Sequence, residues 1–388
     1  MAMSSISRKG YIKELQKQYS GASKTAKRDL LNVAVVFTGL HRKSLVRLLR
    51  APIHHPTNRV RQVASKHGPK IIYDAAFHDA LLVCWHAGND ICAERLQPFL
   101  PELVTKLESC GELQLNPTAR TLLTTASIST VARHLKRSQK RSTIPLGTTK
   151  PGTLLKSQVV VRKGRWEETN PGWTETDTVA HGGDSGAGQF IFTYDFIDIA
   201  TGWTELVASM GKGEQATIRG FDNVRKRFPF AILGIDSDNG GEYINGHLYR
   251  YCQREDINFT RSRPYKKNDN AHVEQKNWEA VRKIVGYNRL DTDIQLDILN
   301  QLYGGPLRLY LNFFQPTRKR KVKLIDTVSG QKRKSYFEAK TPNQRVMEHP
   351  EVFQSIKDML ESEYNQLNPV ELLAEIRTLI DRLNRTLR

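Results

Sequence analysis

The sequence predicts a mixed α/β protein whose sheet-bearing core follows two helical segments and precedes a small basic hairpin and a C-terminal helix. Three observations carry this. Between 171 and 316, short β-rich runs separated by turn residues give three strands in succession, then a helix, then a further apolar strand. Before 140, apolar residues recur at helical spacing. After 316, runs of Lys and Arg flank 324–330, and Asn368-Pro369-Val370-Glu371 reads as a capping box opening an amphipathic helix. The expected domains are 1–55 and 56–140, both helical, a basic linker over 141–170, the core over 171–316, a basic β-hairpin module over 317–345 and C-terminal helices over 346–388.

Composition narrows the partners. The chain has 388 residues, 39% hydrophobic and 26% charged, which suits a globular protein of several domains. Its net charge of +19 and pI near 9.8 point to a polyanion, because Lys and Arg neutralise phosphates and release their counterions. Cys84, Cys92, Cys110 and Cys252 lack CxxC spacing, so a zinc module is not expected and the thiols read as reduced. No apolar run reaches the roughly 18 to 20 residues that span a bilayer, and 1–10 has no apolar signal core. The expected location is cytoplasmic, with DNA in the nucleoid.

In chain order, 24–37 carries Leu30, Leu31, Ala34 and Val35 at helical spacing, Thr38-Gly39 turns, and 41–50 forms a second helix with Leu45, Leu48 and Leu49 inward. Arg42, Lys43, Arg47 and Arg50 then face out, the layout of a helix-turn-helix. Two helices follow over 71–85 and 91–109, with Pro101 interrupting or restarting the second. His78 and His86 read as core or surface histidines. Asn116-Pro117 starts a helix to about Thr124, and Ser127 caps another over 128–137, with Ile128, Val131 and Leu135 as its apolar face. This second helix-turn-helix candidate leads into 133–165, which holds ten Lys/Arg and no Asp/Glu. Arg133, Lys136, Arg137, Lys140 and Arg141 are its candidate DNA contacts.

Within the core, 173–180 alternates as a strand with Asp177 near its middle, and 181–188 reads as a flexible glycine-rich turn. Strands over 190–197 and 203–208, a helix over 214–228, and a strand over 231–235 ending in Ser237-Asp238-Asn239-Gly240 follow. A helix over 244–255, a strand over 257–260, a polar loop over 261–270 and a helix carrying Glu274 complete the region. Helical pattern resumes over 293–314 and closes at Asn312-Phe313-Phe314-Gln315-Pro316.

Asp177, Asp238 and Glu274, on two strands and a helix, are placed to meet. Clustered carboxylates raise one another's pKa unless a divalent cation compensates their charge. Hard oxygen ligands suit Mg²⁺ or Mn²⁺, and a pair of such ions serves in-line phosphoryl displacement. Asp195, Asp198 and Asp236 compete as ligands. Asp198 sits at a hairpin turn, and Asp236 shares the strand face of Asp238.

Asp177, Ser237-Asp238-Asn239-Gly240, and Glu274 after thirty-five intervening residues resemble the DDE triad of the retroviral-integrase-type, RNase H-like core. The loop from Arg263-Pro264-Tyr265 through Lys266-Lys267-Asn268-Asp269-Asn270-Ala271-His272-Val273 to Glu274 is similar to that of bacterial insertion-sequence transposases. The match covers roughly 172–316, and it is this match that favours Asp238 over Asp236. The resemblance implies a magnesium-dependent DNA transposase. Such an enzyme binds terminal inverted repeats through its helix-turn-helix units, cleaves the 3′ strands and joins them to target DNA, as a homo-oligomer, with an accessory ATPase among possible partners. Asn239, Asn270, His272 and Asn277 are supporting candidates around the triad. Lys266, Lys267 and Lys276 are candidates for the DNA end. The chain departs from retroviral integrases in having Trp278 and Val281 where lysines follow the Glu, which leaves Lys276, Arg282 and Lys283 as substitutes. An RNase H-fold nuclease and a silent DNA-binding regulator are the alternatives.

Overall fold

The computed structural model describes residues 5–51, 72–136, 170–211, 213–237, 242–261, 281–319, 324–325, 332–333 and 335–387. The chain divides into two compact units between Ile71 and Ile72.

The first unit holds α1 (Ser5–Gly21), α2 (Lys24–Thr38) and α3 (Arg42–Arg50). The Ser23 hydroxyl accepts from the Ala26 amide at the start of α2. Gly39, at φ 66°, ends that helix in the left-handed conformation glycine adopts without steric penalty. Leu15, Tyr19, Leu31, Ala34, Leu45 and Leu49 form the core. Leu48, expected inward, is 42% exposed instead, because Leu45 and Leu49 already fill the single stripe α3 presents to its neighbours.

In the second unit, α4 (Ala75–Ala87), α5 (Ala93–Ser109), α6 (Pro117–Thr125) and α7 (Ile128–Leu135) share one hydrophobic core with the sheet. The stretch 56–140, set apart above as its own domain, therefore does not close a separate core in its described part. Tyr310 Oη donates to Ala87 O at 2.7 Å, and Lys106 Nζ donates to Tyr364 O and Asn365 O at 2.8 and 3.1 Å, tying these helices to the C-terminal ones. Helix α5 runs unbroken through Pro98 and Pro101. Burial of Leu96, Phe99, Leu100, Leu103, Val104 and Leu107 outweighs the roughly 3 kcal/mol an interior proline removes. Asn116 and Ser127 cap α6 and α7 as expected.

The sheet holds β1 (Trp173–Ala180), β2 (Ile191–Asp198), β3 (Thr204–Met210), β4 (Gly234–Ser237) and β5 (Asn258–Arg261), in the order β3-β2-β1-β4-β5. β1, β2 and β3 form an antiparallel meander, and β4 and β5 join parallel to β1. Helices α8 (Glu214–Arg227) and α9 (Glu242–Arg254) make the crossovers. β4 starts at Gly234 rather than Ala231. Its partner β1 begins only at Trp173, and Gly172 O instead accepts the amides of Leu233 and Gly234.

The edge strand β3 is closed by two asparagines. Asn312 Oδ1 accepts from Thr204 N and its Nδ2 donates to Thr204 O, at 2.8 and 2.9 Å. Asn300 does the same to Ala208, at 2.9 and 3.1 Å. Two side-chain amides thus stand where a sixth strand would pair. They come from α10 (Asp293–Gly304) and α11 (Pro306–Phe313), which the sequence reading ran together; Gly304-Gly305-Pro306 breaks them. Nearby, Glu205 is fully buried between Arg308 and Arg227, at 2.8 and 3.0 Å.

Leu324–Ile325 (β6) pairs antiparallel with Lys332–Arg333 (β7), the basic hairpin. Helices α12 (Pro342–Glu348), α13 (Gln354–Gln366) and α14 (Pro369–Arg385) end the chain. Asn368 accepts from Val370 N as the cap of α14. The stripe Leu372, Ile376, Leu379, Leu383 and Leu387 packs within this unit's own core.

Candidate active site

Asp177 lies on β1, where alternation puts Glu175, Asp177 and Val179 on one face of the sheet. Register extends that face sideways. Asp195 of β2 stands directly opposite Asp177, and Asp236 of β4 stands level with Glu175. Glu175, Asp195 and Asp236 are each at most 1% exposed, while Asp177 is half-buried. Thr178 N donates to Asp177 Oδ1 at 2.7 Å, and Thr260 Oγ1 donates to Asp236 Oδ1 at 2.6 Å. Four carboxyl side chains therefore occupy adjacent positions on one face. Glu175 was not singled out from the sequence; its place two residues before Asp177 was the available signal.

Asp198 has a different job. Its Oδ2 accepts from Thr201 N and Oγ1, and its Oδ1 accepts from Gly172 N, which fixes the β2–β3 turn. Burial pushes its pKa up against the pull of these donors. It is a turn residue, as expected.

The described part of the β1–β4 ladder ends at Thr176 and Ser237. In sequence, the next residues are Asp177 and Asp238. Asp238, Glu274, Asn239, Asn270, His272, Asn277, Lys266, Lys267 and Lys276 lie outside the described residues. Among the described residues, no group of three or more His, Cys, Asp or Glu is arranged to hold a metal ion.

Beyond Asp177 the strand leads to His181, which is fully buried. Its Nε2 bonds Thr193 Oγ1 at 2.8 Å, and Thr193 Oγ1 bonds Tyr303 Oη of α10 at 3.1 Å. Burial, with Arg282 nearby, holds the imidazole neutral by driving its pKa down to about 3. Arg282 donates to Ala180 O at 3.0 Å and stacks on Tyr287, so this arginine braces the end of β1 rather than reaching outward. Lys283 is exposed. The turn expected to be flexible is pinned: Arg289 donates to the carbonyls of Gly182, Ser185, Ala187 and Gln189.

Of the candidate DNA contacts, Arg42, Lys43 and Arg47 are exposed on α3, and Arg133 and Lys136 are exposed at the outer face and end of α7. Arg42 also bonds Asn32 of α2. Arg137, Lys140 and Arg141 lie outside the described residues. The root of the basic hairpin is fixed to the core. Lys319 Nζ donates to Ile199 O at 2.7 Å, and Arg345 Nη1 donates to Thr201 O and Thr317 Oγ1 at 3.1 and 2.9 Å. Arg318 stacks on Tyr336, 4.6 Å from the ring centre.

The chain is thus a mixed α/β protein on a five-stranded mixed sheet, with an acidic face on its central strands. It belongs to the same family as the uncharacterized protein y4rM of Sinorhizobium fredii (strain NBRC 101917 / NGR234), with 36% identity over 321 residues, 82% of this chain and 89% of that protein. No family model matches. Similar solved structures include the HTLV-2 integrase catalytic core domain in complex with magnesium (dimeric form), at 14% identity, covering 42% of this chain and 93% of that one, with a TM-score of 0.28. Another is the catalytic core domain of BIV integrase, at 12% identity, covering 50% and 98%, also with a TM-score of 0.28. No helix among the described residues is long and apolar enough to cross a membrane.

Proposed function

We propose that this protein is a DNA transposase that exchanges phosphodiester bonds at the ends of a mobile element, with Asp177, Asp238 and Glu274 as its carboxylate triad. The observation that carries the reading is the register: β1 and β4 run parallel, and their ladder reaches Thr176 and Ser237, the residues immediately before Asp177 and Asp238. Ligands of α/β sheets gather outside the carboxyl ends of such strands.

The donor chemistry fits a hard divalent cation. Asp177 stands on a face with the carboxyl groups of Glu175, Asp195 and Asp236, and like charges so placed favour a bound cation. Asp177, Asp238 and Glu274 would hold Mg²⁺, or Mn²⁺ in its place. Bound there, the ions supply activation of the attacking oxygen and stabilisation of the leaving one. The amide of Thr178 donates to one Asp177 oxygen and so helps fix that carboxylate on β1. Asn239, Asn270, His272 and Asn277 would orient the carboxylates and the scissile phosphate, and Lys266, Lys267 and Lys276 would hold the DNA end. Helices α3 and α7 would bind terminal repeats through Arg42, Lys43, Arg47, Arg133 and Lys136, continued by Arg137, Lys140 and Arg141. A homo-oligomer would bring two ends together.

Mn²⁺ binding followed by electron paramagnetic resonance tests the metal assignment. Asp177→Asn is expected to weaken binding at least tenfold, with Asp198→Asn, where folded, binding as wild type. Unchanged binding in Asp177→Asn would refute the triad.

A further inference from the structure

Helix α7 has an inner face fixed by packing. Thr130, Val131, His134 and Leu135 are all buried. The His134 ring meets Phe77 edge-on at 5.2 Å, and Val131 and Leu135 sit in the main core. The Ser127 hydroxyl caps the first turn and bonds Thr130 Oγ1 at 3.0 Å. These contacts leave one rotation for the helix, and it turns Ile128, Ser129, Ala132, Arg133 and Lys136 to solvent.

That outer face mixes chemistries in an ordered way. At about 100° per residue, Ile128 and Ala132 lie side by side on one flank and Arg133 lies on the other. Ile128 was expected in the core, yet it is 40% exposed. Ile128 and Ala132 thus form a small apolar flank on the exposed face of α7, with Arg133 on the other flank. The adjoining chain is strongly basic: 133–165 holds ten Lys/Arg and no acid. Charge complementarity therefore selects a polyanion as occupant, and the apolar flank needs a nonpolar group presented by that polyanion. The C5-methyl of thymine in the DNA major groove is such a group, and N-terminal residues of recognition helices are the ones that reach base edges. Ile128 and Ala132 are about 6 Å apart along the axis, close to two base-pair steps.

We propose that α7 is the sequence-reading helix, with Ile128 and Ala132 contacting thymine methyls and Arg133 contacting the adjacent base edge or phosphate. This rests on the DNA-binding reading above. By contrast, α3 offers Arg42, Lys43, Arg47 and Arg50 outward, a set suited to phosphates at any sequence.

The full chain is used to select duplexes from a randomised pool, and the selected duplex is then remade with each thymine in turn replaced by deoxyuridine, which removes only the methyl. Anisotropy titrations are expected to show about fourfold weaker binding of wild type at one or two positions, the factor one buried methyl carries. Ile128→Ser is expected to bind thymine and uracil duplexes equally at one of those positions, with an unchanged melting temperature. Arg47→Ala is expected to weaken all duplexes alike and to keep the thymine preference. A thymine preference that persists at every position in both Ile128→Ser and Ala132→Ser would overturn the proposal, as would binding without any selected sequence. Absence of DNA binding altogether would instead remove the underlying reading.

Discussion

Replacing Asn312 by leucine removes both hydrogen bonds that close β3 at Thr204 while keeping side-chain volume nearly constant. Asn312 is fully buried and Thr204 is 1% exposed, so water cannot replace the lost amide. Two bonds at about 1 kcal/mol each, plus the desolvation left on an unmatched N–H and C=O, give a loss of about 3 to 5 kcal/mol. Asn300 makes the same pair of bonds to Ala208 but is half-buried. Solvent can rescue that position, and Asn300→Leu is expected to cost about 1 kcal/mol. Urea unfolding followed by tryptophan fluorescence reads this cleanly, because all five tryptophans lie beyond residue 72 and report only the second unit. Equal losses in the two variants, or a loss under 1 kcal/mol for Asn312→Leu, would refute the view that burial decides the strength of these edge bonds.

Three further outcomes follow from the packing. His181 is neutral when folded, with a pKa near 3 against an ordinary value of 6.5, so the unfolded chain binds the extra proton and stability falls as pH drops from 6.5 toward 3. The slope from this group is about 1.4 kcal/mol per pH unit; the difference in stability between wild type and His181→Asn, measured from pH 7 to 4, should shrink by that slope, and a constant difference would rule the imidazole out as its source. A Cβ on Gly234 would lie 2.2 Å from the Trp173 ring, so Gly234→Ala should destabilise by about 1 to 3 kcal/mol and shift tryptophan emission, whereas an unperturbed spectrum would show that the ring moves aside freely. Lys106 caps the end of α13 from α5 and lies over the Tyr364 ring, so Lys106→Met should lower the melting temperature by several degrees; an unchanged midpoint would contradict that role.

Much of the fold was readable because local signals agreed with the final structure. The turn residues around 199–202 and the alternation of 173–180 announce the meander, and Ser23, Gly39, Asn116 and Ser127 mark helix ends by their own hydrogen-bonding chemistry. What was hidden depends on distant partners. Nothing near Thr204 indicates that Asn312, 108 residues later, completes its pairing. Arg289 turns a glycine-rich loop from a flexible turn into a fixed one at a separation of about a hundred residues. Arg282 looked like a DNA contact until its bond to Ala180 O placed it against β1. Ile128 fitted a helical apolar stripe, but Thr130 and His134 won the inner face through the Ser127 cap and the Phe77 ring. In the acidic site, spacing and the Asn-Gly turn drew attention to Asp177 and Asp238, and Asp195 and Asp236 were legible as competing carboxylates, whereas the place of Glu175 level with Asp236 emerges from cross-strand register.

Strand joining is the most direct test of the proposed activity. Labelled duplexes taken from the DNA flanking the coding sequence are incubated with the full chain and a supercoiled plasmid, with Mg²⁺ or with EDTA, beside Asp177→Asn and Asp238→Asn. Covalent joining of the labelled 3′ ends to plasmid is expected in Mg²⁺ only, abolished in both variants. Nicking without joining would instead mark a nuclease, and tight binding by a folded protein with neither product would contradict the catalytic claim.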